Sequence, residues 1–304
     1  MRWNDVCSTP PRVIGDSGRR QWDELGYLAF SGMLGGAELK RLTAALGTII
    51  EASRSLSEST HLLDLDAGHR SDSPRLRRAA LIDDVDTVFW DFCRNSVLVD
   101  IAADVLGPNV RFRDAFANLK WSGGGAAVDW HQDLAFYPHT NAGTIQFVVA
   151  LEEFTSERGP LTVVPGSHKG PMYSHYDGDG AWVGAIGIEK LDAAMIDSAV
   201  QITGPAGSVS VHHALTLHYS APNHSDTNRP ALVITYSAAD AIPYTAPPYR
   251  SSHYGQIVRG VEPGIAHHDE MTMILPPDWT HGYTSIFRHQ DTPSTNSEPT
   301  PENS

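Results

Sequence analysis

Two stretches in the second half of the 304-residue chain carry residue types that can do chemistry together. In Trp130-His131-Gln132-Asp133 an imidazole and a carboxylate stand two residues apart, and along an extended backbone such side chains project to the same side. Both can therefore reach one metal ion. The second stretch supplies another imidazole at His218, a hydroxyl at Ser220, a polar turn, and a guanidinium at Arg229, eleven residues after the histidine. Two histidines and one carboxylate on one face of an octahedral ion leave three positions open, the arrangement of non-heme Fe(II) oxygenases. Those positions suit a bidentate cosubstrate and dioxygen. Arg229 suits the far end of an acidic cosubstrate, because its planar fork meets a carboxylate bidentately and keeps its charge.

A lone His-x-Asp is weak evidence among fifteen histidines, since short motifs recur by chance and most such pairs are structural. His168, His212 and His213 compete with His218 as ligands. His218 is preferred because it alone is followed by the serine and the arginine. His212 and His213, adjacent in a strand-like run, point to opposite faces and suit packing or support of the ligands. His267 and His268 are expected at the surface.

The ordered set is more specific than its parts. His131-x-Asp133 is followed by Gly159-Pro-Leu-Thr-Val-Val-Pro-Gly-Ser-His-Lys-Gly170, then by Gly207 eleven residues before His218, then by Ser220 and Arg229. Over about residues 20 to 240 this resembles the phytanoyl-CoA dioxygenase family of iron- and 2-oxoglutarate-dependent oxygenases. The resemblance implies Fe(II) held by His131, Asp133 and His218, with 2-oxoglutarate chelating through its C1 carboxylate and keto oxygen. Arg229, assisted by Ser220, would hold the C5 carboxylate. Asn118 would add a contact, with Gln146 and Lys120 as weaker candidates. With O2 as the third reactant, the implied products are succinate, CO2 and an oxidised small molecule, typically hydroxylated, in a tailoring step of natural-product biosynthesis. One departure is Ser208, where many members carry an acidic residue; it reads as the loss of a local turn contact. Related halogenases replace the ligand carboxylate with a small residue, so the presence of Asp133 points to oxygenation.

Composition narrows the field. A chain of this length buries about three quarters of its unfolded surface without needing staples, and 41% hydrophobic residues with 9% aromatics is ordinary for a globular protein. No apolar run approaches the roughly 18 residues of a membrane span, and the first residues lack the apolar region of a signal peptide, so a cytoplasmic location is the default expectation. Cys7 and Cys93 alone support neither a disulfide framework nor a cysteine zinc site. A net charge of −14 argues against a nucleic-acid partner and leans against a coenzyme A thioester.

These residues need a scaffold that brings distant strand ends together. The pattern predicts helices over 17–25, 36–53, 86–93 and 96–106, the last stopped by Gly107-Pro108, with an apolar strand at 27–30. The stripe of Leu39, Leu42, Ala45, Leu46, Ile49 and Ile50 reads as core packing. Beyond Pro108, β-rich runs at 110–121, 144–151, 161–164, 208–211 and 230–236 are of strand length. Helices followed by strands indicate an all-β core with flanking helices (α+β): a double-stranded β-helix, the cupin-like jelly roll, braced by the N-terminal helices. A single domain is expected over 17–288, between a mobile N-terminus (1–16) and a disordered tail (289–304). The aromatic- and glycine-bearing stretch 170–200 is expected as a lid over the metal. Trp130, Phe136 and Tyr137 are candidates for the cavity wall. The turn 221–228 is expected to fold the strand 229–237 back as a hairpin, setting Arg229 across from Ser220. Two other classes fit the same residues: a jelly-roll protein that binds metal or ligand without turnover, and an oxygen-independent cupin-type isomerase or hydrolase. Arg229 weighs against the first, which has no use for the anchor.

Overall fold

The computed structural model describes residues 10–281 and 285–290. Cys7, most of the N-terminal segment and nearly all of the tail expected to be mobile lie outside these residues. Within them, Arg12, Val13 and Ile14 donate backbone N–H groups to the Asp104 carboxylate at 2.7–3.1 Å, and helix α1 (Gly15–Leu25) begins directly afterwards.

The helical braces follow the sequence pattern. Helix α2 (Gly36–Ala52) buries Leu42, Ala45, Leu46 and Ile49. After the short α3 (Ile82–Val85), Asp86 caps α4 (Thr87–Asn95) by accepting from Val88 N, satisfying an N–H that the helix leaves unpaired. Helix α5 (Val97–Leu106) ends at Gly107, whose φ of 99° no larger residue adopts comfortably.

Twelve strands follow in chain order: β1 (Tyr27–Phe30), β2 (Leu63–Leu65), β3 (Leu76–Ala79), β4 (Val110–Lys120), β5 (Val128–His131), β6 (Thr144–Ala150), β7 (Leu161–Val163), β8 (Val200–Gln201), β9 (Val209–His213), β10 (His218–Ser220), β11 (Arg229–Ala238) and β12 (Ile257–Arg259). The major sheet has the order β1-β9-β6-β11-β4-β3-β2, with β12 also paired to β4; the minor sheet runs β5-β10-β7-β8. Every pairing is antiparallel. Two facing antiparallel sheets braced by helices form the jelly roll.

Strand alternation divides the major sheet into two chemistries. One face, with Ala115, Ala117, Ile145, Phe147, Leu232 and Ile234, packs with residues of α2, α4 and α5 into the main hydrophobic core. The opposite face, with Asp114, Asn118, Gln146 and Arg229, lines a cavity shared with the minor sheet. The helices thus stiffen the sheet from behind and leave its polar face to the cavity.

One expected connection differs. Ser220 ends β10 in the minor sheet, whereas Arg229 begins β11 in the major sheet and pairs with Lys120. The segment between them crosses from sheet to sheet, so no hairpin forms, and Ser220 and Arg229 meet the same cavity from different sheets.

Candidate metal centre

His131 is the last residue of β5, and Asp133 follows in a short turn after the extended Gln132. The two side chains share a side, as their spacing dictates. Strand β10 pairs with β5 so that His218 stands opposite His131, with ring centroids 4.0 Å apart. Asp133 Oδ1 lies 3.8 Å from His131 Nε2 and 3.7 Å from His218 Nε2. The three candidate ligand atoms all lie within 4.8 Å of one another on buried side chains.

Hydrogen bonds fix the direction of each donor. His131 Nδ1 donates to Asp129 O at 2.7 Å, and His218 Nδ1 to Thr216 O at 2.9 Å. A carbonyl can only accept, so each Nδ1 carries the proton and each Nε2 lone pair faces the shared centre. Asp133 Oδ2 accepts from His212 Nε2 at 2.9 Å, which leaves Oδ1 turned toward the two histidines. His212 therefore orients a ligand, while His213 faces the other way, 6.1 Å from Trp22.

Electrostatics agree with the geometry. Burial lowers the pKa of His131 and of His218, and it outweighs the nearby carboxylate, so both rings are neutral. Burial alone would raise Asp133, but His218, His212 and His131 together hold it well below the usual carboxylate range. Two neutral imidazoles and one carboxylate converging on a point is the donor set a divalent ion requires, since metal ligands bind deprotonated.

The surrounding cavity is lined from both sheets by His131, Asp133, His218, Ser220, Arg229 and Asn118, among others. Arg229 is 5% exposed. Its guanidinium lies 4.9 Å from the Phe154 ring, its Nε has no hydrogen-bond partner, and no carboxylate pairs with it among the described residues. Burial without compensation lowers its pKa to about 10. Asn118 Oδ1 is likewise buried and unpartnered. Lys120, one of the weaker candidates, is turned away: its ammonium donates to Ser220 O at 2.9 Å and to Ala221 O. Burial, helped by the Arg229 charge, pushes its pKa well down. Gln146 lines the cavity and donates to the Tyr137 hydroxyl at 3.2 Å.

Phe136 and Tyr137 belong to the cavity wall, whereas Trp130 packs in a separate cluster with Val164, Ile186 and Leu217. The stretch 170–200 contributes no side chain to that wall. It hydrogen-bonds to β5 and to the residue after it: His175 Nε2 accepts from Gln132 N at 2.9 Å, and Ile186 N donates to Trp130 O at 2.7 Å. Pro248, Tyr249 and Ile286 wall the cavity instead, Ile286 from helix α6 (Ile286–Gln290). Strand β3 adds Arg78 and β4 adds Asp114, two charged residues that the sequence reading passed over.

The phytanoyl-CoA dioxygenase (PhyH) family profile matches residues 22–231. The chain belongs to the phytanoyl-CoA dioxygenase family. Family relatives include a probable alpha-ketoglutarate-dependent hypophosphite dioxygenase of Stutzerimonas stutzeri, 41% identical over 152 residues, which are 49% of this chain and 53% of that protein. An L-proline trans-4-hydroxylase of Streptomyces griseoviridis is 30% identical over 179 residues, 53% of this chain and 66% of that protein. The matched regions thus span about half to two thirds of these relatives. The iron-bound crystal structure of EctD from S. alaskensis shares the fold, with a TM-score of 0.65, 22% identity, and coverage of 86% of this chain and 88% of that one. Among the described residues no helix is long and apolar enough to cross a membrane.

Proposed function

We propose that this PhyH-family chain is an oxygenase that binds Fe(II) through His131, Asp133 and His218 and couples 2-oxoglutarate decarboxylation to oxidation, by hydroxylation, of a small molecule. The observation that carries the reading is Arg229. A buried guanidinium without a counter-ion is costly, and here it faces the cavity that also contains the three converging ligands. A dicarboxylate cosubstrate would relieve that cost, whereas a jelly roll that merely stored a metal would have no use for it. The same unpaired cation disfavours an oxygen-independent isomerase or hydrolase, which needs no second acid.

The iron, when bound, would supply oxygen activation driven by oxidative decarboxylation of 2-oxoglutarate to succinate and CO2. The chain's own residues do the rest. Asp129 and Thr216 carbonyls hold the two imidazoles in the ligating tautomer, and His212 holds the carboxylate. Arg229 orients the C5 carboxylate of 2-oxoglutarate with Ser220 and the unpartnered Asn118 close by. Phe136 and Tyr137 keep water from the reacting centre, which protects the protein and the substrate from side reactions. The hypophosphite and L-proline named for its relatives support a small substrate. A role in natural-product tailoring is carried by the family resemblance alone.

The test is succinate formation from 2-oxoglutarate by purified protein with Fe(II) in air. The reading expects succinate to require both Fe(II) and O2. Metal-supported turnover of a substrate without O2 or 2-oxoglutarate would replace it with the isomerase or hydrolase reading.

A further inference from the structure

Two charged side chains in the cavity have no task in the site described so far. Arg78, on β3, is 7% exposed. Its guanidinium lies 3.8 Å from the Phe116 ring and 5.4 Å from the Tyr249 ring. Its Nε is buried without a partner, and no carboxylate pairs with it among the described residues. Asp114, on β4, lines the same cavity, and its Oδ1 is also buried and unpartnered. Burial raises its pKa to about 6, against the opposing pull of the Thr235 hydroxyl and the Arg78 charge. Near neutral pH it is therefore mostly ionised.

We infer, resting on the oxygenase reading above, that the primary substrate is a small zwitterion whose acidic group is held by Arg78 and whose ammonium is held by Asp114. A buried cation and a buried anion each lose hydration on folding, and each needs a partner to recover it. These two attract each other without bonding, so a ligand carrying both charges satisfies them at once. A simple oxyanion would satisfy Arg78 and be repelled by Asp114.

Arg78 does not duplicate Arg229. Strands β3 and β11 pair on opposite sides of β4, which separates them by two strand spacings, roughly 10 Å. Along β4, Arg78 stands opposite Asn118, while Arg229 stands opposite Lys120. A 2-oxoglutarate chelating the metal has one carboxylate to spare, and Arg229 takes it. The second guanidinium is left for the substrate, with Asp114 four residues before Asn118 on the same cavity-facing side of β4.

The experiment is anaerobic calorimetry on protein loaded with Fe(II) and 2-oxoglutarate. It is titrated with a panel of α-amino acids including L-proline, with the N-acetyl and amide derivatives of the best binder, and with hypophosphite. We expect a zwitterion to bind and, in air, to stimulate succinate formation. Removing either ligand charge, or substituting Asp114→Asn or Arg78→Gln, weakens that binding by about tenfold or more. The 2-oxoglutarate affinity of the same variants serves as the internal reference and shifts by less than about threefold, because a merely structural defect would move both affinities together. Asp114→Asn removes an unpaired buried charge and keeps the side-chain shape, so its melting temperature should not fall. Binding and turnover of hypophosphite with no zwitterion bound overturns the inference, as does equal weakening of 2-oxoglutarate and zwitterion by the variants. Wild type that takes up Fe(II) and 2-oxoglutarate but binds no zwitterion refutes the substrate assignment alone. Wild type that takes up neither refutes the oxygenase reading beneath it.

Discussion

Replacing Arg229 by methionine should move stability and ligand affinity in opposite directions. The side chain is buried, its charge has no counter-ion among the described residues, and its pKa falls from 12.5 to about 10 through burial. That fall corresponds to about 3 kcal/mol of unfavourable environment for the charged form. Methionine fills comparable volume beside Phe154 and needs no partner, so the ligand-free variant should be as stable as wild type or more stable, by up to about 3 kcal/mol. With 2-oxoglutarate the order reverses. Truncating one partner of a buried, hydrogen-bonded charge pair costs about 2 to 5 kcal/mol, or about 30-fold to several thousandfold in Kd. Wild type at 100 times Kd gains about 2.7 kcal/mol from its ligand, and the variant should gain no more than about 0.9 kcal/mol at that concentration. Urea unfolding with and without 2-oxoglutarate, in the presence of a redox-inert divalent metal, measures both effects. A variant that is destabilised without ligand yet keeps normal 2-oxoglutarate affinity would refute the reasoning, because the guanidinium would then be structural.

Two further outcomes follow from the same geometry. Burial lowers the pKa values of His139, His175 and His213 to about 3, so as pH falls below about 6.5 the unfolded chain binds three protons that the folded chain does not. Asp114, raised to about 6, opposes this by binding one proton in the folded state first. Near pH 5 the net excess, about two protons from these groups with more from the likewise lowered His131 and His218, makes metal-free stability fall by at least about 3 kcal/mol per pH unit as pH drops; denaturant midpoints between pH 7 and 4.5 that do not decline would contradict it. His212 acts through Asp133, so His212→Leu should weaken Fe(II) binding by about 10- to 100-fold, and His212→Gln, which can still donate to Oδ2, should restore most of it. Equal Fe(II) affinity in wild type and both variants would remove its positioning role.

The convergence of His131, Asp133 and His218 into one candidate cluster was legible because its signal is local. The i, i+2 spacing of His131 and Asp133 survives in any extended backbone, and His218 was singled out by Ser220 and Arg229. Helix α2 was legible for the same reason, since its apolar stripe repeats at helical spacing. What failed depended on pairing between distant segments. The stretch 221–228 has the polarity of a hairpin turn, but Arg229 pairs with Lys120 in one sheet and Ser220 with Leu161 in the other. Arg78 and Asp114 were overlooked because charged residues within strands ordinarily mark a solvated face, and here that face turns inward to a polar cavity. Strand β3 was overlooked with them, because Arg77 and Arg78 interrupt its apolar residues. The aromatic content of 170–200 suggested a cover for the metal; the stretch does not itself line the cavity, but its Trp182 meets the cavity-wall residue Phe136 edge-on at 5.3 Å.

The central claim, that His131, Asp133 and His218 together hold one divalent ion, is tested most directly by anaerobic Fe(II) titration calorimetry of wild type and Asp133→Ala. The account predicts one ion per chain in wild type and an affinity at least about 100-fold lower in the variant, since a charged ligand is lost. Undiminished Fe(II) affinity in Asp133→Ala would contradict it.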